Sequence, residues 1–178
     1  MKIVLMSDSH DHMTKLHAAV EWCNQNNIDY VLHGGDLVAP FVHRAFKNLN
    51  APYIMVFGNN DGERHGLSLM FKDKIFQPPH EVELDGKKIV MLHEPDPLDN
   101  LDKEKYDLIL YGHTHSVDIQ RGKPLIVNPG ELCGWLTDKA TMALWDTGSN
   151  DVEIISFWAA LIHSQKNFQK LNKMLDYC

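Results

Sequence analysis

Three short apolar runs, spaced by segments of helical period, constrain what the first third of this chain can become. Lys2–Met6, Tyr30–Leu32 and Tyr53–Phe57 are too short for helices, and each is closed by polar residues or glycine. Such runs read as buried strands. Between the first two, Leu16, Ala19, Val20 and Cys23 recur at i, i+3, i+4 and i+7, one apolar helix face, with Asn26-Asn27 suited to its C-terminal end. Between the second and third, Pro40 opens a helix at its first turn, with Val42, Ala45, Phe46 and Leu49 on one face. This βαβαβ order implies parallel strands joined by right-handed crossovers.

Beyond Gly58 the pattern changes. A helix is predicted from Glu63 to Phe71, after which Pro78-Pro79 break the chain. Val82–Leu84, the turn Asp85-Gly86 and Lys87–Leu92 give a strong hairpin signal. Asp107–Tyr111 is a further strand. Val117–Gln120 with Leu125–Val127, and Thr141–Trp145 with Val152–Phe157, form two more hairpins. From Ala159 onward Leu161, Phe168, Leu171 and Leu175 share one helical face. The expectation is one α/β domain over residues 1–158 and a C-terminal helix over 159–178, packed on it or extending from it. The first half is parallel, and the hairpins of the second half form or complete another sheet. A chain of 178 residues, 44% hydrophobic, can bury a core without disulfide staples.

Charge and cysteine usage narrow the partners. The net charge is −7, from 17 basic and 24 acidic residues, and the three arginines, Arg44, Arg64 and Arg121, make no basic run. Long nucleic acid is a poor fit, because neutralising phosphates needs clustered Lys and Arg. Cys23, Cys133 and Cys178 contain no Cys-x-x-Cys pair, so neither a disulfide framework nor a thiolate zinc site is expected. A cytoplasmic, reducing compartment is the expectation. The longest apolar run, Phe157–Ile162, is far short of the ~20 residues of a membrane span, and the N-terminal run is too short for a signal peptide.

The chemistry lies where the strands end. Asp8 and His10 follow the first strand, Asp36 the second, Asn59 and Asp61 the third, His93 the strand ending at Leu92, and His113 and His115 the strand ending at Tyr111. In open α/β sheets ligands bind outside the carboxyl ends of strands, so these loops should converge on one crevice. Asp8, Asp36, Asn59, His10, His93, His113 and His115 are all N or O donors. They are too many for one tetrahedral ion and suit two divalent ions sharing a carboxylate, the arrangement of metal-assisted hydrolysis. Two such ions would leave the crevice net positive, so that it attracts a phosphate ester without arginine.

In order and spacing, these blocks resemble the calcineurin-like metallophosphoesterase superfamily. The blocks are Asp8-Ser9-His10, Gly35-Asp36, Gly58-Asn59-Asn60-Asp61, His93 and Gly112-His113-Thr114-His115. The short length and Asn128-Pro129-Gly130 are similar to its small single-domain phosphodiesterase branch, often called YfcE-type. The resemblance implies two packed mixed β-sheets flanked by helices, an αββα sandwich. It implies one metal on Asp8, His10 and His115, the other on Asn59, His93 and His113, and Asp36 between them. Asp36, Asn59 and His93 carry over as catalytic. The implied reaction is in-line attack of a metal-activated hydroxide on a phosphodiester, with Mn²⁺ or Ni²⁺ the first choice of ion and Co²⁺, Zn²⁺, Fe²⁺ or Mg²⁺ as alternatives. The expected substrate is a small phosphodiester or nucleotide. The alternatives are a non-catalytic scaffold of the same fold, like the retromer subunit, and a nucleotide-directed nuclease or phosphatase. Asn60 stands where larger members carry a histidine that can protonate the leaving oxygen, and an amide is no general acid. Glu94 stands where the small branch has glycine, as an extra ligand or a pocket wall. His12, His33, Asn60, Asp61, Glu94 and Asn128 are candidates to touch substrate or brace a ligand. Trp135 reads as core or edge packing, and the tail lysines Lys166, Lys170 and Lys173 read as a solvated face, with a homo-oligomer contact of the tail helix as the alternative.

Overall fold

The computed structural model describes residues 1–157, and the helix expected over 159–178 lies outside them. The chain runs β1 (Lys2–Met6), α1 (Met13–Gln25), β2 (Tyr30–His33), a 3-10 turn (Pro40–Val42) leading into α2 (His43–Phe46), and β3 (Tyr53–Val56). It continues through α3 (Arg64–Phe71), β4 (Ile75–Phe76), β5 (His80–Leu84), β6 (Lys87–Met91), β7 (Leu108–Leu110), β8 (Val117–Gln120), β9 (Leu125–Pro129), β10 (Thr141–Asp146) and β11 (Asp151–Ser156).

These strands make two mixed sheets, ordered β11-β10-β1-β2-β3-β4 and β5-β6-β7-β9-β8. The predicted parallel set β1-β2-β3 is the middle of the first sheet, and the C-terminal hairpin β10–β11 completes that sheet by pairing antiparallel with β1. The second sheet holds the other two hairpins, but its centre is parallel: β6 pairs with β7 and β7 with β9. The Asp85-Gly86 turn takes φ of 53° and 70°, both left-handed, as a two-residue hairpin of matching twist demands.

Alternation along β1 shows how the layers stack. Ile3 and Leu5 join Leu32, Val56, Met91, Leu110, Val127 and Trp145 between the two sheets, while Val4 and Met6 join Leu16, Ala19, Phe46 and Phe71 beneath the helices. A strand buried on both faces has no polar side to show, which is why Ile3–Met6, after the exposed Lys2, reads as an unbroken apolar run. The outer face of the second sheet is covered differently. Leu98 and Leu101, on a segment of 3-10 turns, pack over Val90, Ile109 and Tyr111. No helix among the described residues is long and apolar enough to cross a membrane.

Trp145 has no exposed surface, and its indole N–H donates to Asn150 Oδ1 at 3.0 Å. Trp145→Ala should lower unfolding stability by about 3–5 kcal/mol, the usual result of emptying so large a core site. Urea titration would show it as a lower midpoint at unchanged slope. A loss under about 1 kcal/mol would mean that the inter-sheet core is not packed as described.

Candidate metal centre

The loops leaving β1 and β2 are stitched together by their backbones. Gly34 N–H donates to Met6 O at 2.8 Å, Asp8 N–H to Gly35 O at 3.0 Å and His10 N–H to Asp36 O at 3.0 Å. Parallel pairing thus continues past the strand ends and brings Asp8, His10 and Asp36 side by side. The backbone needed for this is unusual. Asp8 (φ 51°), His10 (39°), Asp36 (59°), His113 (68°) and His115 (59°) are all left-handed. Non-glycine residues enter this region at a cost of about 1–2 kcal/mol each, and such strain gathers at functional sites. Two glycines provide the remaining space: a Cβ on Gly58 would collide with the Asp36 carboxylate, and one on Gly112 with Ser7 Oγ and the Asp8 carboxylate.

The seven candidate ligands fall into one continuous set of side-chain contacts at the rim shared by both sheets. His10 Nε2 lies 3.2 Å from His115 Nε2, and these two imidazoles are 3.8 and 3.6 Å from Asp8 Oδ1. On the other side, His93 Nε2 and His113 Nδ1 approach Asn59 Oδ1 at 2.9 and 2.8 Å. Asp36 stands between the groups, its Oδ2 3.4 Å from both His10 Nε2 and His93 Nε2. Asp8, His10 and His115, and likewise Asp8, Asp36 and His93, present donor atoms all within 4.8 Å of one another.

This donor set fits divalent cations. His93 Nδ1 donates to Gly34 O at 2.8 Å, and a carbonyl can only accept, so in the neutral ring Nε2 is a bare lone pair. That lone pair faces two oxygen acceptors, Asn59 Oδ1 and Asp36 Oδ2. His115 Nδ1 donates to Glu131 Oε2 at 2.7 Å, so its Nε2 also points a lone pair inward, at His10. The His93 lone pair and the oxygens it faces repel one another unless a proton or a metal ion lies among them. Asp8 and Asp36 are buried, and among the described residues the only groups able to carry positive charge within 4 Å of either carboxylate are histidines. Burying charge without a partner costs several kcal/mol.

The titration behaviour has the same cause. Burial raises the Asp8 pKa against the opposing pull of His93 and His115. Burial would raise Asp36 too, but hydrogen bonds from His93 and Asn60 outweigh it and hold that carboxyl below its usual range. Burial alone would lower the His93 pKa, yet hydrogen bonding and charge from Asp36 carry it above the ordinary imidazole value. A place that concentrates positive charge on an imidazole is one that a metal ion can occupy instead.

The candidates for bracing residues separate by contact. Asn60 grips both oxygens of Asp36, with its backbone N–H and its Nδ2 each donating at 2.8 Å. Buried Asp61 accepts from Gly58 N–H at 2.7 Å, Val38 N–H at 2.6 Å and Asp36 N–H at 3.2 Å, tying the β2 and β3 loops together. Asn128 Nδ2 donates to Gly112 O and Thr114 Oγ1, both at 2.9 Å, and brackets the loop that carries His113 and His115. His33 is wholly buried, so it braces and cannot touch substrate. Gly35 N–H donates to its Nδ1, its Nε2 meets Ser9 Oγ at 3.1 Å, and burial pushes its pKa down to about 3. His12 sits at the rim, its ring 5.9 Å from that of Trp135. Glu94 is exposed on a cleft wall beside His93 and belongs to no ligand cluster. Trp135 is 63% exposed, contrary to the packing role expected of it, because its loop turns outward at Gly134 (φ 69°).

One residue had no assigned role. Glu131 is fully buried, accepts from His115, and also accepts from Cys133 Sγ, the backbone N–H of Trp135 and Leu136, and Thr137 Oγ1. Burial would raise its pKa, but these donors carry it down to about 2. A carboxylate–histidine pair of this kind fixes the ring orientation and tautomer of a metal-facing imidazole. Its only signal in the sequence is an acid directly after Asn-Pro-Gly.

Comparison with known proteins follows the same lines. Residues 1–150 match the calcineurin-like phosphoesterase superfamily domain. Phosphodiesterase MJ0936 of Methanocaldococcus jannaschii is 41% identical over 155 residues, 83% of this chain and 93% of that protein. A structure described as a novel archaeal phosphodiesterase is 38% identical, with TM-score 0.81, over 88% of this chain and 99% of its own. The phosphoesterase Yfce from E. coli shares the fold, at 21% identity and TM-score 0.68 over 88% and 99% of the two chains. With a domain match across most of its length and a relative of this identity, the chain belongs to the calcineurin-like phosphoesterase superfamily.

Proposed function

We propose that this chain is a metal-dependent phosphodiesterase that hydrolyses small phosphodiesters with two divalent ions. Asp8, His10 and His115 would hold one ion, Asn59, His93 and His113 the other, and Asp36 would serve both. The observation that carries this reading is Asp36, a buried carboxylate equidistant from an imidazole of each group and gripped through both oxygens by Asn60. The names of its phosphodiesterase relatives support the reaction. Ions bound there supply positive charge for the phosphoryl oxygens and a nucleophile at neutral pH. Imidazole, carboxylate and amide donors without thiolate suit Mn²⁺ or Ni²⁺, with Co²⁺, Zn²⁺, Fe²⁺ and Mg²⁺ as alternatives.

The protein's own residues do the rest. Glu131 and Gly34 O hold the inward nitrogens of His115 and His93 on target. His10, His113 and His115 retain exposed surface and form the mouth through which the phosphate group enters. Asn60 is committed to Asp36 and has no proton to give to a departing alkoxide. A net charge of −7 favours a small diester or a nucleotide over a long polyanion.

Two outcomes test this reading. Calorimetric titration of chelator-treated protein with Mn²⁺ should find two ions per chain. Asp36→Asn should weaken both by at least about 10–100-fold and reduce turnover to background, while Asn59→Ala should weaken mainly one. Equal, single-site losses in the two variants would remove Asp36 from its shared position. Separately, the rate should fall steeply as the leaving-group pKa rises across a series of diesters, because general-acid help worth ~10²–10⁴-fold is missing. Bis(p-nitrophenyl) phosphate should be cleaved faster than p-nitrophenyl phosphate. A flat dependence would show that another residue supplies the proton.

A further inference from the structure

The geometry points to a second anion-binding subsite beside the candidate metal centre, built on Arg64. It would take a phosphate or carboxylate carried on the ester substituent that the substrate keeps after cleavage. The inference rests on the phosphodiesterase reading above and narrows its substrate class to diesters bearing a further acidic group.

A cleft of about 460 Å³ opens from Asn59 and His93 and runs between Arg64, Gln77 and Glu94. Two of its walls are therefore candidate ligands, so a group filling it is contiguous with a phosphate at the centre. The volume lies within the range of small-molecule pockets and accepts a substituent of sugar size.

Arg64 is held in place there. Its Nε–H donates to Asp61 O at 3.2 Å, one terminal nitrogen donates to Gly58 O at 3.0 Å and the other to Gln77 Oε1 at 3.2 Å. The guanidinium lies over the Phe57 ring, 5.3 Å from its centroid. Gly58 precedes Asn59, so the cation is fixed one residue from a candidate ligand. A guanidinium carries five N–H groups, and these contacts use three of them. Two remain without a protein acceptor among the described residues.

The charge is equally uncommitted. In a chain of net charge −7, no carboxylate among the described residues lies within ion-pair distance of Arg64, whereas Arg121 reaches Asp151 at 4.0 Å. Glu94 on the facing wall repels an anion from that side and accepts hydroxyl donors. A substituent with hydroxyls near Glu94 and an acidic group at Arg64 satisfies both walls. Arg matches phosphate and carboxylate geometry with paired donors, and charge-assisted hydrogen bonds of this kind are among the strong ones.

The test uses matched p-nitrophenyl diesters whose retained substituent is 2-methoxyethyl, 2-phosphoethyl or 2-carboxyethyl, with Mn²⁺-loaded protein. We expect kcat/KM for the better acidic ester to exceed that for the methoxyethyl ester by about tenfold or more, and the comparison of phosphate with carboxylate identifies the acidic group. Arg64→Gln should abolish this ratio, and Arg64→Lys should retain only part of it. The ratio is read within each protein, so a general loss from freeing Gly58 O does not enter it. Titration with the corresponding methyl esters, which leave too poorly to turn over, reads the same selectivity as binding. Equal values for the acidic and methoxyethyl esters in the wild type, or an advantage that survives Arg64→Gln, would overturn the subsite and leave Arg64 as a brace for the β3 loop. Selective binding without turnover of any nitrophenyl ester would instead uphold the subsite and defeat the phosphodiesterase reading.

Discussion

Buried negative charge with no lysine or arginine to answer it is the constraint on which this molecule's working end depends. Asp8, Asp36, Asp61 and Glu131 all lie below the surface at the carboxyl edge of the sheets. Two of them are satisfied from within: Asp61 by three backbone N–H groups of the β2 and β3 loops, and Glu131 by an imidazole, a thiol, a hydroxyl and backbone N–H groups. Asp8 and Asp36 accept fewer hydrogen bonds, from Asn60 to Asp36 and from the His113 N–H to Asp8, and their nearest cationic candidates are histidines at 3.4 Å or more. The division is functional. Carboxylates that build the loops are saturated by the protein, while those that face the crevice keep unfilled acceptor capacity for ions. A lysine in the crevice would fill that capacity and neutralise the same charge.

The two sheets contribute different halves of the site. The first supplies Asp8, His10, Asp36 and Asn59 from the ends of β1, β2 and β3, and the second supplies His93, His113 and His115 from the ends of β6 and β7. The centre therefore lies on the seam between them, and its geometry is set by how the inter-sheet side chains pack. Ile3, Leu32 and Val56 from one sheet meet Met91 and Leu110 from the other, on the same strands whose ends carry the candidate ligands. Interiors at crystal-like density transmit small displacements rather than absorb them. A loosened inter-sheet core would thus act on the spacing between Asp36 and His93 before it acted on either sheet alone.

How much of this could be read from residues follows from what each signal depends on. The strands β1, β2 and β3 and their closing residues were legible because a buried parallel strand is an apolar run and its exit is polar. The three hairpins were legible from turn chemistry. The parallel centre of the second sheet was not: the crossovers between β6 and β7 and between β7 and β9 carry no helical period, since 3-10 turns and an antiparallel β8 take the place of helices. Nor was β4, two residues long and added at the edge beside β3. Within the site, residue type and position named the seven donors, but contact decided the supporting cast. Asn60 reads in sequence as a missing acid and in space as the clamp on Asp36. Glu131 works only because Gly130, with φ 78°, turns the chain back toward His115.

The left-handed backbone at five of the seven donors raises the question of what holds it there. Metal coordination could force such conformations on a pliable loop, but the contacts argue that the fold imposes them first. Asp8 and His10 are locked by hydrogen bonds to Gly35 O and Asp36 O, Asp36 by its own N–H to Asp61, and His113 by its N–H to Asp8 Oδ2 at 3.1 Å. His115 is held through its ring by Glu131. None of these interactions involves an ion. The strain, on the order of 1–2 kcal/mol per residue, is therefore met by hydrogen bonding and by the close approach that Gly58 and Gly112 permit. A site whose donors are already aimed loses little conformational entropy on taking up its ions, and that is the physical advantage of placing ligands on tightly bonded strand exits rather than on long loops.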